Sequence, residues 1–134
     1  MDKPLKKLGD GELDVMLAVW EVWEAGEKEK PVTSGEVMKR LSQKRSWGIT
    51  TLMTVLARLV EKGYLSCDRS TRTNYYTPLV LEREYKERES RTFLTRLHRS
   101  SLPSLVSSLY QGGAVSSDDL EELRRFIDNL GKEE

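Results

Sequence analysis

The chain has 134 residues with 22 basic and 22 acidic side chains, which suits one modest domain or a small domain with an appendage and gives no overall field for nucleic acid. Cys67 and His98 are the only residues of their kinds, so neither an intrachain disulfide, a thiolate zinc site nor a Ser/Cys-His triad can be assembled from one chain. No run of about 18 apolar residues occurs and the opening MDKPLKKLGDGEL lacks a signal's apolar stretch; a soluble cytoplasmic protein is expected, with no membrane insertion, metal, cofactor or enzymatic activity.

Leu8, Gly9, Asp10 and Glu12 precede apolar residues at 13, 16, 17, 19, 20 and 23, close to the helical period. This predicts a first helix with Glu12 at the positive end of its dipole and with Trp20 and Trp23 in the core or at a seam. A polar loop is expected over 25–31. Thr33 and Glu36 then have capping-box spacing, which opens a second helix with Val37, Met38 and Leu41 turned inward. A third helix is predicted over about 49–62, stopping at Gly63, with Leu52, Val55, Leu56 and Leu59 as its apolar stripe. Opposite that stripe the wheel places Thr50, Met53, Thr54, Ala57 and Glu61, with Thr51 and Arg58 on the flanks. A face so short and so lightly charged suits close approach to base edges.

Tyr64 to Asp68 and Asn74 to Thr77 alternate and contain strand formers, so a β-hairpin closed by Pro78 is expected, with Cys67 as a half-buried strand residue. Three helices followed by a basic-tipped hairpin make a winged helix-turn-helix order. Residues 39–72 carry eight basic side chains against Glu61 and Asp68, whereas residues 10–29 carry seven acidic ones against Lys28. Two solvated faces of opposite sign would account for this as well as a nucleic-acid surface would. The coincidence of the basic block with helix 2, helix 3 and the hairpin tip favours the surface.

From Leu81 onward three helical stretches are predicted, over 82–100, after Pro103 up to Gly112, and from a capping signal at Ser116 to Leu130. Their narrow stripes include Phe93, Leu97, Leu105, Leu109, Leu120, Leu123, Phe126 and Ile127 and do not suffice for a globular core. Packing between subunits is the reading preferred over a helical layer folded back on its own chain. His98, between Arg96 and Arg99, is expected to be solvated. The fold class is therefore mainly α with a small β-hairpin wing, organised as a winged helix-turn-helix domain over 1–80 and a helical dimerisation domain over 81–134.

The segments LGDGELDVMLAVW, VTSGEV, WGITTLMTVLARLVEKGYL, NYYTPLV, TFLTRL and DLEELRRFIDNL resemble, in order, the penicillinase-repressor family, which includes the beta-lactamase and methicillin-resistance repressors. The likeness covers nearly the whole chain and is most specific from Trp47 to Leu65. It implies a homodimer that represses transcription by binding double-stranded operator DNA at an inverted repeat, commonly with a TACA/TGTA core. In the antibiotic-resistance members a membrane sensor with a metalloprotease domain triggers cleavage in the dimerisation region, typically between Asn and Phe. The matching bond here is Ser108-Leu109, which departs from that pattern. Copper-responsive relatives carry cysteine pairs near the C-terminus, which this chain lacks.

On this reading Thr50, Thr51, Met53 and Thr54 meet the bases. The resemblance matches Thr51 and Thr54 to threonines of the resistance repressors and shows Met53 in place of a basic residue. Lys44, Arg45, Arg58, Arg69 and Arg72 are expected to contact phosphates, supplying affinity and register. Thr33 and Ser34 join them because a helix N-terminus favours anions. The alternative for each is ordinary surface solvation or capping. For the whole chain it is a winged-helix protein-interaction module that does not bind DNA.

Overall fold

The structure is a computed structural model that describes residues 5–26 and 30–132. Residues 27–29 of the expected polar loop lie outside the described residues. Among those described, the order is α1 (Asp10–Ala25), β1 (Val32–Thr33), α2 (Ser34–Leu41), α3 (Ile49–Glu61), β2 (Leu65–Asp68), β3 (Tyr75–Pro78), α4 (Glu82–His98), α5 (Leu102–Gln111) and α6 (Ser117–Leu130). The chain divides into two compact units, Met1–Lys86 and Glu87–Glu134.

In the first unit one continuous core draws on every element. Val15, Met16, Val19 and Trp20 of α1, Val37 and Leu41 of α2, the α3 stripe, and Tyr64, Leu65, Tyr76 and Val80 around the strands are all buried. Burial of this apolar surface is the main force holding the short helices, which would not persist alone. The Trp20 indole N–H donates to the Val80 carbonyl at 2.8 Å, so the largest core side chain also has its polar atom satisfied. Tyr85, in the first turn of α4, packs against Trp20 and Tyr64 with ring centroids 5.7 and 5.9 Å apart. It therefore belongs to the core of this unit.

The expected hairpin is present as β2 and β3, and a third strand joins it. The antiparallel order is β1-β3-β2, with Val32 opposite Tyr76 and Cys67 also opposite Tyr76. Two residues are too few to display an alternation, so β1 has no period to read. Thr33 ends that strand and caps α2: its hydroxyl accepts from the Glu36 N–H at 3.2 Å, and the Glu36 carboxylate accepts from the Thr33 N–H at 3.0 Å.

Lys62 ties the end of α3 to the start of the chain. Its ammonium donates to Glu12 Oε1 at 2.7 Å and to the Lys7 carbonyl at 3.0 Å, while the Gly9 N–H donates to the same Glu12 oxygen at 2.8 Å. The Lys62 hydrogen bond first, and then that of Gly9, hold the Glu12 carboxyl below its ordinary value near 4.5, against the opposing effect of burial. Because the shift exists only in the folded chain, its stabilisation is complete above the unfolded value and is lost as pH falls through the depressed folded one. Between about pH 6 and about pH 3 the wild-type unfolding midpoint should therefore drop further than that of Glu12→Gln. Parallel pH curves for the two proteins, followed by thermal unfolding, would remove the linkage.

The second unit has a different character. In α5 and α6 no residue is buried, and each helix is set by its cap: the Ser101 hydroxyl accepts from the Ser104 N–H, and Ser116 and Asp119 form a reciprocal capping box. The expectation that His98 is solvated is corrected. It is 8% exposed, at the last position of α4, and its Nδ1 lies 2.9 Å from the Ser104 hydroxyl. Its ring lies 5.7 Å from that of Phe93. The reason is the elbow that follows: Arg99 and Ser100 take left-handed φ of 48° and 65°, ending α4 and turning α5 back over the ring.

Candidate nucleic-acid interface

The α3 helix is built to expose one face at a fixed attitude. Leu52, Val55, Leu56 and Leu59 are buried, so the helix cannot roll without losing its core contacts. At its end the Tyr64 N–H returns to the Leu59 carbonyl and the Gly63 N–H to Val60, with Gly63 at φ 85°, a conformation that a Cβ would strain. On the opposite side Thr50, Thr54, Ala57 and Glu61 are exposed, with Thr51 and Arg58 exposed on one flank. The Thr54 hydroxyl donates to the Thr50 carbonyl at 3.1 Å, which leaves its methyl and lone pairs for an incoming group. Met53 differs from the wheel's assignment: it is half-buried and packs against the core. One residue beyond Leu52 it sits on the flank of the stripe, where a flexible thioether can lie along the core edge.

Basic side chains occupy the segments that precede and follow α3. Lys44 is exposed in the α2–α3 turn, and Arg69 and Arg72 are exposed in the β2–β3 connection. That connection is braced by the Ser70 N–H donating to Asp68 Oδ1 at 2.9 Å. The Ser70 hydroxyl and N–H together hold the Asp68 carboxyl below its ordinary value. Arg45 is half-buried, its Nε donating to Asp14 Oδ2 at 2.6 Å. Arg45, Thr51 and Arg58 are brought together along one cleft of about 700 Å³, whose other lining residues include Trp47, Val55 and Lys62. Thr33, Ser34, Lys44, Arg69 and Arg72 lie outside that cleft; the Thr33 hydroxyl also donates to Glu36, at 3.0 Å.

Trp47, Gly11 and Lys62 were not singled out from the sequence as site residues. Lys62 stood within the basic block, so charge segregation pointed to it. Nothing local pointed to Gly11, whose contact lies 36 positions along the chain at Trp47.

In the second unit Phe93, Leu97, Leu109, Phe126 and Ile127 are exposed, and Leu105, Leu120 and Leu123 are half-buried. Ser108 and Leu109 both lie inside α5 and are exposed. Among the described residues no group of three His, Cys, Asp or Glu side chains is placed to hold a metal ion. No helix among them is long and apolar enough to cross a membrane.

The family model of the penicillinase repressors matches residues 8–129. The penicillinase repressor of Bacillus licheniformis is 31% identical over 126 residues, covering 94% of this chain and 93% of that protein. The methicillin resistance regulatory protein MecI of Mammaliicoccus sciuri is 24% identical over 127 residues, covering 95% and 98%. Among solved structures, the solution structure of the monomeric form of Bacillus licheniformis BlaI in complex with the blaP half-operator is 32% identical, with 63% of this chain and 94% of that one covered at a TM-score of 0.47. With the family pattern running from residue 8 to residue 129 and a repressor of 31% identity matched over nearly its whole length, this chain belongs to the penicillinase repressor family, a family of transcriptional repressors and not of enzymes.

Proposed function

We propose that this DNA-binding repressor acts as a homodimer on an inverted-repeat operator, each α3 lying in the major groove with a basic wing alongside. The observation that carries this reading is the outer face of α3: small hydroxyl and methyl side chains at Thr50, Thr51 and Thr54, bordered by Arg58, on a helix whose other side is wholly buried. Small groups let the helix backbone come close to base edges, and thymine methyls suit the threonine methyls. Met53 contributes at the edge of that face. Lys44, Arg45, Arg58, Arg69, Arg72 and the α2 N-terminus at Thr33 and Ser34 would hold the phosphates.

Residues 81–134 would supply the dimer contact. What supports this is their composition and exposure: α5 and α6 bury none of their own apolar residues, while Phe93, Leu97, Phe126 and Ile127 are each at least half exposed. A second copy of the same stripes would cover them and couple two DNA-binding domains.

Titration with salt separates the two kinds of contact. Arg58→Ala and Arg69→Ala should weaken binding to every duplex and reduce the slope of log affinity against log salt by about one unit each. Thr51→Ala and Thr54→Ala should instead reorder a series of operator variants, at about 1–3 kcal/mol for the affected base pair. An unchanged slope for both arginine variants would return them to the solvated surface. Uniform weakening by the threonine variants would show that they only position the helix. Salt-insensitive or absent binding by the wild type would favour the protein-interaction module.

A further inference from the structure

Trp47 immediately precedes Gly48, the N-cap of α3, and is half-buried. Its benzene edge lies against the backbone of the first turn of α1: a Cβ built on Gly11 would stand 2.9 Å from Cη2 and 3.2 Å from Cζ2. The Arg45 guanidinium lies over the indole, 4.9 Å from the ring centroid, and Asp14 on the next turn of α1 holds the same guanidinium at 2.6 Å. These contacts close a circuit from α1 through the α2–α3 turn and back to α1. Glycine favours a helix less than alanine does, so its place at position 11 is explained by the space the indole needs.

We propose that Trp47 is a positioning residue for operator recognition. Seated on Gly11 and covered by the Arg45–Asp14 pair, it sets the pose of the first turn of α3 and the direction of Arg45, so that Thr50 and Thr51 reach the bases. The inference rests on the DNA-binding reading. Base-edge contacts depend on placement to within a fraction of an ångström, whereas long cations follow a phosphate through small shifts. Loosening the seat should therefore cost discrimination more than general affinity.

The test uses the full chain, a duplex that the wild type selects from random-sequence DNA, and a scrambled duplex of equal length. Gly11→Ala should lower affinity for the selected duplex at least about tenfold while the scrambled duplex changes much less, the added methyl pushing the indole aside. In Gly11→Ala/Trp47→Phe the smaller ring lacks the outer indole atoms, so much of the discrimination should return. Asp14→Asn, which keeps the side-chain shape but releases Arg45, should lose discrimination in the same direction. Its thermal midpoint, expected to stay near wild type, keeps the result interpretable should Gly11→Ala fold poorly. Equal losses on both duplexes, or a double variant no better than Gly11→Ala, would overturn the positioning role alone. A wild type that selects no duplex would overturn the DNA-binding reading beneath it.

Discussion

A chain ending at Ser108 is expected to lose dimerisation and at least about a hundredfold of its affinity for an inverted-repeat operator, because two linked half-sites gain an effective concentration that a lone winged helix forfeits. The truncation removes α6 with Leu120, Leu123, Phe126 and Ile127, together with Leu109 and the end of α5. It leaves the core of the first unit untouched, since none of these residues belongs to it. Sedimentation and operator titration of chains 1–108 and 1–134 give the comparison. Undiminished dimerisation of the shorter chain would defeat the proposed role of the C-terminal helices.

The same bond bears on how repression would end. Ser108-Leu109 is exposed but helical, so a protease must first open α5, a ten-residue helix with no buried residue to hold it closed. Within one chain that opening is cheap, whereas the proposed dimer would cover Leu109 and oppose it, so access and recognition both count. Leu109 keeps an apolar side chain after the bond, while Ser108 lacks the amide group of the Asn usual in the resistance repressors. Incubation of the intact chain with a resistance-type sensor protease is expected to leave it uncut. A clean product ending at Ser108 would show that the amide is dispensable.

The second large effect is expected at Trp20, which is 1% exposed at the centre of the first unit. Trp20→Ala should cost about 3–5 kcal/mol, from the lost apolar burial and the cavity it leaves. Removing the donor to the Val80 carbonyl adds about 1–3 kcal/mol if that oxygen stays buried and unpaired. Against a total stability of about 5–15 kcal/mol, such a loss brings the domain close to unfolding at ordinary temperature. Trp20→Phe keeps most of the ring and gives up the N–H, so its loss should be clearly smaller. Urea unfolding of the three proteins measures both. A loss below about 1 kcal/mol for Trp20→Ala would mean that the core is not organised around this residue.

Most of the helical architecture was legible because it is encoded by residues three or four apart. The α3 stripe, the capping boxes at Thr33 and Ser116, and the stop at Gly63 are local, and each stands where its pattern predicts. Membership of the penicillinase repressor family was equally legible, because its segments recur in order along the chain. What the tertiary structure decided are contacts between positions that no local period relates. The β1 strand exists because Val32 and Thr33 meet Tyr76 and Tyr75 across more than 40 residues, and Lys62 reaches Glu12 across 50. Trp47 is seated on Gly11 for the same reason. His98 is buried by an elbow whose left-handed residues are an arginine and a serine, neither of which announces such a turn. Local patterns record the stabilisation of one element by itself, whereas these placements arise when elements collapse onto a shared core, and there the partner is set by three-dimensional packing rather than by spacing.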